Sequence, residues 1–523
     1  MLWQLANQAK TRAILSLKKN ILANYISQIY VTLIGIVMVP LYVSYMGAEA
    51  YGLVGFFAML QAWFQLLDMG LTPTMSRETA RFNGGATDAM NLRRLLRALE
   101  GVFIGTALLG ALAMAFAAGQ IASNWLNVRE LSLVEVRHAV ILIGIIVALR
   151  WACGLYRGAI SGFERLVWLS ALNSAVATAR FVLVIPFFIY VGTTPTEFFS
   201  YQLTVALLEL MVLVVQTYRL MPKSESGIDA PWDWAPLRGV LKFSLSIAFT
   251  SSVWVMVTQT DKLLLSRILP LADYAYFTLA VLMASGVMII SGPISVALVP
   301  RLTRLHAERD ETGLVRLYRN ATQLVAVIAI PATLVLALFS KQVLWAWTGN
   351  AEVAEKAAPI LTMYALGNGF LVLAAFPYYL QFAQGNLKLH LIGNILFVLA
   401  LIPALIWASM TFGVMGAGWA WLGANSLSFL LWVPVVHRSF LPRLHMKWLC
   451  MDIGVIALLP CVAGYVAHHW LRWPQDRQLT AFAVALLSLL LFIFTAVGSS
   501  FVRERAFTRW HHLFPRAGTE GKA

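Results

Sequence analysis

Long runs of apolar residues limit what this chain can fold into more than any other feature. They fall at about 21–44, 50–74, 98–122, 137–157, 166–190, 198–218, 241–268, 273–299, 321–344, 359–384, 388–410, 414–436, 448–470 and 479–502. A helix needs about 20 apolar residues to cross the hydrocarbon of a bilayer. The runs are continuous rather than alternating, which argues for helices and against a membrane barrel. Composition agrees, with 60% hydrophobic and only 12% charged residues, where soluble domains carry roughly 25% charged. No single aqueous core hides that much apolar surface. A soluble enzyme, a nucleic-acid-binding protein and a disordered scaffold are therefore set aside. The expected fold is an all-α polytopic membrane protein of about 14 transmembrane helices.

The charge is +15, from 39 basic and 24 acidic residues. The basic residues sit in short runs between apolar segments, the pattern that marks cytoplasmic loops. With the N-terminus inside, 29 basic residues fall on the inner side and 7 on the outer side, with Arg157 counted among the inner ones. Three more, Arg150, Arg180 and Lys262, lie within spans. The asymmetry predicts cytoplasmic termini and an even number of spans. Outer loops are too short for a soluble domain. Residues 1–19 carry apolar positions at helical spacing among Lys10, Arg12, Lys18 and Lys19. They read as a cytoplasmic amphipathic helix rather than a cleaved signal, and 503–523 reads as a basic cytoplasmic tail. Cys153, Cys450 and Cys461 fall in or beside apolar runs and read as small buried side chains.

The chain also repeats itself. At an offset of 222, Asp88, Leu92, Arg94, Leu95 and Arg97 meet Asp310, Leu314, Arg316, Leu317 and Arg319. The same offset pairs Ser44 with Ser266, Ala50 with Ala272 and Gly70 with Gly292, giving 11 identities over residues 44–97. An even offset in spans implies two parallel six-helix halves, a transporter architecture with a central cavity. The halves are read as 20–218 and 241–437, joined by a cytoplasmic linker at 219–240. Two additional helices follow at 448–502.

Ionisable groups within the bilayer are costly, so they mark candidate sites. Arg180 reads either as a cation holding an anionic substrate group or as the partner of Glu209. Guanidinium suits phosphate because its donors form a planar fork. Asp261 and Lys262 read as a coupling carboxylate with a substrate-binding cation, or as a mutually neutralised pair. Arg150 faces a cavity or reaches toward the cytoplasm. Asp68 is a coupling carboxylate, or a cap or partner for Arg77 or Arg81. Asn24, Gln28 and Gln259 either line a cavity or hold helices together. Trp345, Trp347, Trp470 and Trp473 read as an interfacial belt. No phosphate-binding loop, catalytic triad or metal spacing is present, so neither an enzyme nor a bound cofactor is expected.

Several stretches resemble a known family. NILANYISQIYVTLIGIVMVPLYVSYMGAEAYGLVGF (20–56), LLDMGLTPTMSRETAR (66–81), GLYRGAISGFERLVWLSALNS (154–174), TQTDKLLLSRILPLADYAYFTLA (258–280) and AQGNLKLHLIGN (383–394) are similar to segments of Wzx-type polysaccharide-biosynthesis flippases. These belong to the multidrug/oligosaccharidyl-lipid/polysaccharide exporter superfamily. The resemblance runs from about 20 to 435; the last two spans match mainly by hydropathy. It implies movement of an undecaprenyl-diphosphate-linked oligosaccharide from the inner to the outer leaflet of the bacterial inner membrane, for O-antigen, capsule or exopolysaccharide synthesis. It also implies a cationic cavity lined by Arg180, Lys262 and Arg150, and coupling to a proton or sodium gradient through Asp261, Asp68 or Glu209. Membrane lipids, a polysaccharide polymerase and a chain-length regulator are the implied partners, with no nucleic acid. The competing readings are a cation-coupled multidrug exporter or a lipid II-type flippase on the same fold. A membrane polymerase or ligase fits less well, because it needs a sizeable outer loop.

Overall fold

A computed structural model describes the backbone of residues 2–222, 235–289 and 291–505, and the side chains of 20, 22–222, 237, 252–289 and 298–505. The side chains of the 1–19 helix, most of the 219–240 linker and most of the 503–523 tail lie outside the described residues. All regular structure among the described residues is helical. The chain divides into two compact units, residues 1–275 and 276–523.

The first unit holds α1 (Leu2–Phe64), α2 (Leu71–Asn83), α3 (Ala89–Gln120), α4 (Leu133–Gly162), α5 (Leu166–Phe181), α6 (Val184–Tyr190), α7 (Pro195–Leu220) and α8 (Ala235–Ile268). The division falls within α9 (Leu271–Ile289). The second unit continues with α10 (Ser291–Ala307), α11 (Glu311–Leu338), α12 (Ser340–Thr348), α13 (Ala351–Ala374), α14 (Phe376–Ala383), α15 (Lys388–Leu427), α16 (Val433–Phe440), α17 (Leu444–Lys447), α18 (Val455–Trp470) and α19 (Arg477–Gly498).

Among the described residues, eleven helical stretches are long and apolar enough to cross a membrane. This is a multi-pass membrane protein. The sequence reading expects about fourteen spans, and two of the eleven stretches each cover two of them. The stretch Leu22–Asp68 joins the first two expected spans, and Lys388–Phe440 joins the eleventh and twelfth. Both contain a glycine that breaks helical geometry where a loop is expected: Gly47 at φ 81° in α1 and Gly413 at φ 58° in α15. A side chain resists that left-handed region, whereas glycine enters it freely. The seventh expected span, 241–268, falls on α8, where most side chains of the first half lie outside the described residues, so it does not enter the count.

Local chemistry sets the helix ends. Thr194 and Glu197 form a reciprocal capping box that spans Pro195 and starts α7. Ser132 accepts the Glu135 backbone N–H at 3.2 Å to start α4. The repeated residues recur in register. Asp88 stands at the start of α3 and Asp310 at the start of α11, where Asp310 accepts the Gly313 N–H at 2.8 Å. Leu92 and Leu314, one turn on, are both buried.

In the first unit α4 is the buried spine, packed against α2, α3 and α7. Gly154, Gly158 and Gly162 recur every four residues, which lets another backbone approach closely. A Cβ on Gly158 would collide with the Thr72 carbonyl, and one on Gly162 with the Ser76 carbonyl. This seats α2 against α4. Leu71, Met75, Leu95, Leu99, Phe103 and Leu155 close the core between them. Other faces, such as Leu108, Leu109 and Phe116 on α3, are exposed and apolar. Such faces suit lipid tails.

In the second unit α18 and α19 pack on α11. Asp452, fully buried in the wide turn Trp448–Gly454, takes a two-pronged contact from Arg319 at 2.7 and 2.9 Å. Gln323 donates to the same carboxylate at 2.7 Å and accepts from Ser499 at 2.8 Å.

Two outcomes follow. Asp452→Ala strands the Arg319 cation and is expected to destabilise the protein by about 3 kcal/mol, read as a lowered melting temperature in detergent. The double variant with Arg319→Ala should lose less. Gly158→Val, driven into Thr72, should unseat α2 and also lower the melting temperature.

Candidate functional site

Four helices of the first unit enclose a polar cavity of about 410 Å³. Three of them contribute residues spaced three, four or seven apart and so present one face each. α1 supplies Asn24, Gln28 and Val31; α4 supplies Arg150, Gly154 and Arg157; α5 supplies Asn173, Ala177 and Arg180; α7 supplies Glu209. Ser27 ties α1 to α5 by donating to the Ser170 carbonyl at 2.9 Å.

The charged lining is three guanidiniums and one carboxylate. Arg157 joins Asn173 on α5 to Glu209 on α7, donating to both. Glu209 is only 2% exposed. Its Oε1 takes the Arg157 contact, while Oε2 has no hydrogen-bond partner, and Arg150 Nη1 likewise has none. Arg180 is held differently. Its Nε donates to Gln202 at 3.3 Å, and its guanidinium lies 5.2 Å from the Phe181 ring centre. Its carbonyl accepts from Tyr42 and Gln202, each at 3.0 Å, which fixes the end of α5.

A second cavity of about 310 Å³ shares Gln61, Arg150 and Gly154 with the first. Asp68 lies on its wall. The Asp68 carboxylate accepts from the Thr72 backbone N–H at 3.2 Å and the Thr72 hydroxyl at 2.5 Å.

These observations compare directly with known proteins. The family model described as "Polysaccharide biosynthesis protein" matches residues 17–306, more than half of the chain. The chain belongs to the polysaccharide biosynthesis protein family. A second model, "Lipid II flippase MurJ", matches residues 232–493. No curated protein matches in sequence. Among solved structures, lipid II flippase MurJ in an inward closed conformation is similar at TM-score 0.70 and 14% identity, over 93% of this chain and 99% of that one. An inward-facing multidrug-resistance MATE transporter is similar at TM-score 0.64 and 15% identity, over 78% and 94%. The MATE multidrug transporter DinF-BH follows at TM-score 0.55 and 16% identity, over 81% and 95%. These likenesses show a shared fold.

In this family member the expected residues separate into three groups, one of which is Asp68 on the wall of the second cavity. Asn24, Gln28, Arg150, Arg180 and Glu209 meet in one cavity. Asp261, Lys262 and Gln259, all on α8, line neither cavity. Lys262 Nζ donates to Asp261 Oδ1 at 3.1 Å and to the Thr258 carbonyl at 2.6 Å, so the pair neutralises itself. Gln259 donates to Thr258 at 3.4 Å.

Two particulars of the sequence reading change, and one open alternative is decided. The partner of Glu209 is Arg157, not Arg180. For Asp68 the cap alternative holds, since it accepts the Thr72 N–H in the first turn of α2, while Arg77 and Arg81 both pair with Glu78. Arg157, counted as a cytoplasmic loop residue, belongs to α4 and lines the cavity. Its signal was present: Arg150 and Arg157 are two turns apart with Gly154 between them, so they share one helix face.

Removing either end of the Arg157–Glu209 pair should not cost the same. Arg157→Ala leaves a buried carboxylate unpaired. Glu209→Gln keeps an acceptor for Arg157 and removes the charge. Melting curves in detergent should show a clearly larger loss for Arg157→Ala.

Proposed function

We propose that this protein carries an undecaprenyl-diphosphate-linked oligosaccharide from the inner to the outer leaflet of the bacterial inner membrane. The observation that carries this reading is the charge of the first cavity. Three guanidiniums facing one carboxylate leave a surplus of two positive charges. Guanidinium forks match phosphate oxygens, and a diphosphate joining a lipid to a sugar carries two negative charges. The head group would complete the neutralisation that Glu209 begins. Asn24, Gln28 and Asn173 would supply neutral hydrogen bonds around it.

The same surplus weighs against the runner-up reading, a multidrug exporter for cations. A cationic drug would meet three like charges in a site of low dielectric, where repulsion is strong. Family membership favours a transporter over a polymerase. A lipid II-type flippase would use the same anion chemistry, and only the sugar would differ.

Coupling to a proton or sodium gradient belongs to this proposal. Asp261 is neutralised by Lys262 and Glu209 by Arg157. Among the described residues Asp68 makes no ion pair, and it lines the adjoining cavity. Asp68 is thus the proposed coupling carboxylate. Polymerase and chain-length regulator are the protein's proposed partners in O-antigen, capsule or exopolysaccharide assembly, with both termini cytoplasmic.

A deletion strain tests the reading. It should lose surface glycan and trap the complete lipid-linked unit in the inner leaflet, as read by leaflet-resolved labelling. Units that reach the outer leaflet unpolymerised would contradict it. The double variant Arg150→Ala, Arg180→Ala, at normal expression, should reproduce the deletion. Collapsing both gradients should stop transport; undiminished transport would remove the coupling role from Asp68.

A further inference from the structure

The second cavity differs in chemistry from the first, and the difference points to what fills it. Its charged lining is Arg150 and Asp68, so it has no surplus for a second anion. The amides of Gln61 and Gln65 and the hydroxyls of Thr72 and Ser252 supply both donors and acceptors. Trp151 adds an indole. Its ring stacks on Phe103 with centroids 4.4 Å apart, which fixes its plane. It is 8% exposed, and its Nε1 donor has no partner. A buried donor left unmet costs free energy, so such a group is one a ligand can satisfy.

Asp68 is oriented in the same way. The Thr72 amide and hydroxyl anchor the carboxylate, and an ionised carboxylate has about four acceptor positions. Acceptor capacity therefore remains for hydroxyl groups. The backbone beside it is unusual, because Met69 at φ 44° and Gly70 at φ 71° are both left-handed. That turn carries the chain from Asp68 into α2 along the cavity wall.

We propose that this cavity seats the first sugar ring of the head group, an uncharged one, joined across Arg150 to the diphosphate. The inference rests on the anion reading above and adds to it a sugar class and the residues that select it. Size agrees: about 310 Å³ lies at the small end of the roughly 300–1,000 Å³ of ligand sites, enough for one ring and too little for an oligosaccharide. Position agrees as well. Gln61, Arg150 and Gly154 line both cavities, so a ring and the diphosphate bonded to it can occupy them together. A uronic acid as first sugar would place its carboxylate in the cavity that already holds Asp68, and is selected against.

The test is equilibrium binding to the full chain in nanodiscs without a gradient. The probes are undecaprenyl diphosphate and the same lipid carrying one neutral hexose. The hexose lipid should bind about tenfold tighter, the gain from one or two hydrogen bonds to buried polar groups. Gln65→Ala, and Trp151→Phe, which keeps a ring to stack on Phe103, should each cut that preference at least about threefold. Asp68→Asn, which keeps an acceptor for Thr72, should nearly abolish it. A lipid bearing a uronic acid should show no preference. Arg180→Ala should weaken both lipids by the same factor. Equal binding of the two lipids by the unaltered protein would overturn the sugar seat, as would an unchanged preference in both Gln65→Ala and Trp151→Phe. If Arg180→Ala still weakens both lipids in those cases, the anion reading survives. If it affects neither lipid, both readings fall.

Discussion

A guanidinium in an apolar interior must be partnered or hydrated, because isolated charge there costs several kcal/mol even after relaxation. The first unit depends on that constraint. It brings three arginines to one polar cavity and supplies one carboxylate to meet them. Arg157 commits its donors to Asn173 and Glu209 and in doing so links α4, α5 and α7. Arg180 is steadied by Gln202 and Phe181 without meeting a carboxylate. The site is thus organised by its structural contacts and still under-neutralised.

The spine α4 performs two tasks with adjoining faces. Arg150 and Arg157 face the cavity. Gly154, Gly158 and Gly162 admit α2, whose Thr72 backbone would block any larger residue at Gly158. That close approach sets Asp68, just before α2, on the wall of a cavity that Arg150 also lines. Packing and chemistry are therefore coupled through a backbone contact. A change on the glycine face would shift the second cavity without touching a polar residue.

The second unit meets the same constraint by complete pairing. Arg319 is the counterpart of Arg97 in the repeat, yet it is consumed by Asp452. Gln323 then spreads that contact to Ser499, Ser500 and the Phe501 amide. Thr495 adds a bond to the Val327 carbonyl at 2.9 Å. This network fastens the two additional helices to α11. Here the buried charge serves attachment rather than an open site.

The class of fold is legible in the residues alone, because hydrocarbon admits backbone only when its polar groups are bonded within the segment. Apolar run length is readable for that reason; the lysine and arginine asymmetry is readable because basic loops stay on the cytoplasmic side, and the 222-residue repeat shows as residue identities. The buried ionisable residues are readable too, since each stands out against its apolar neighbours. Which of them meet emerges only in three dimensions. A one-dimensional string places Asp261 beside Lys262, and the structure agrees, because that pair is local. It places Arg180 and Glu209 near their span centres, and both line the cavity, yet their partners lie on other helices. Arg157 was hidden because hydropathy ends a span where charge begins, whereas the helix continues through Gly162. Partner choice among buried charges is set by helix rotation and close approach, and those depend on packing over the whole unit.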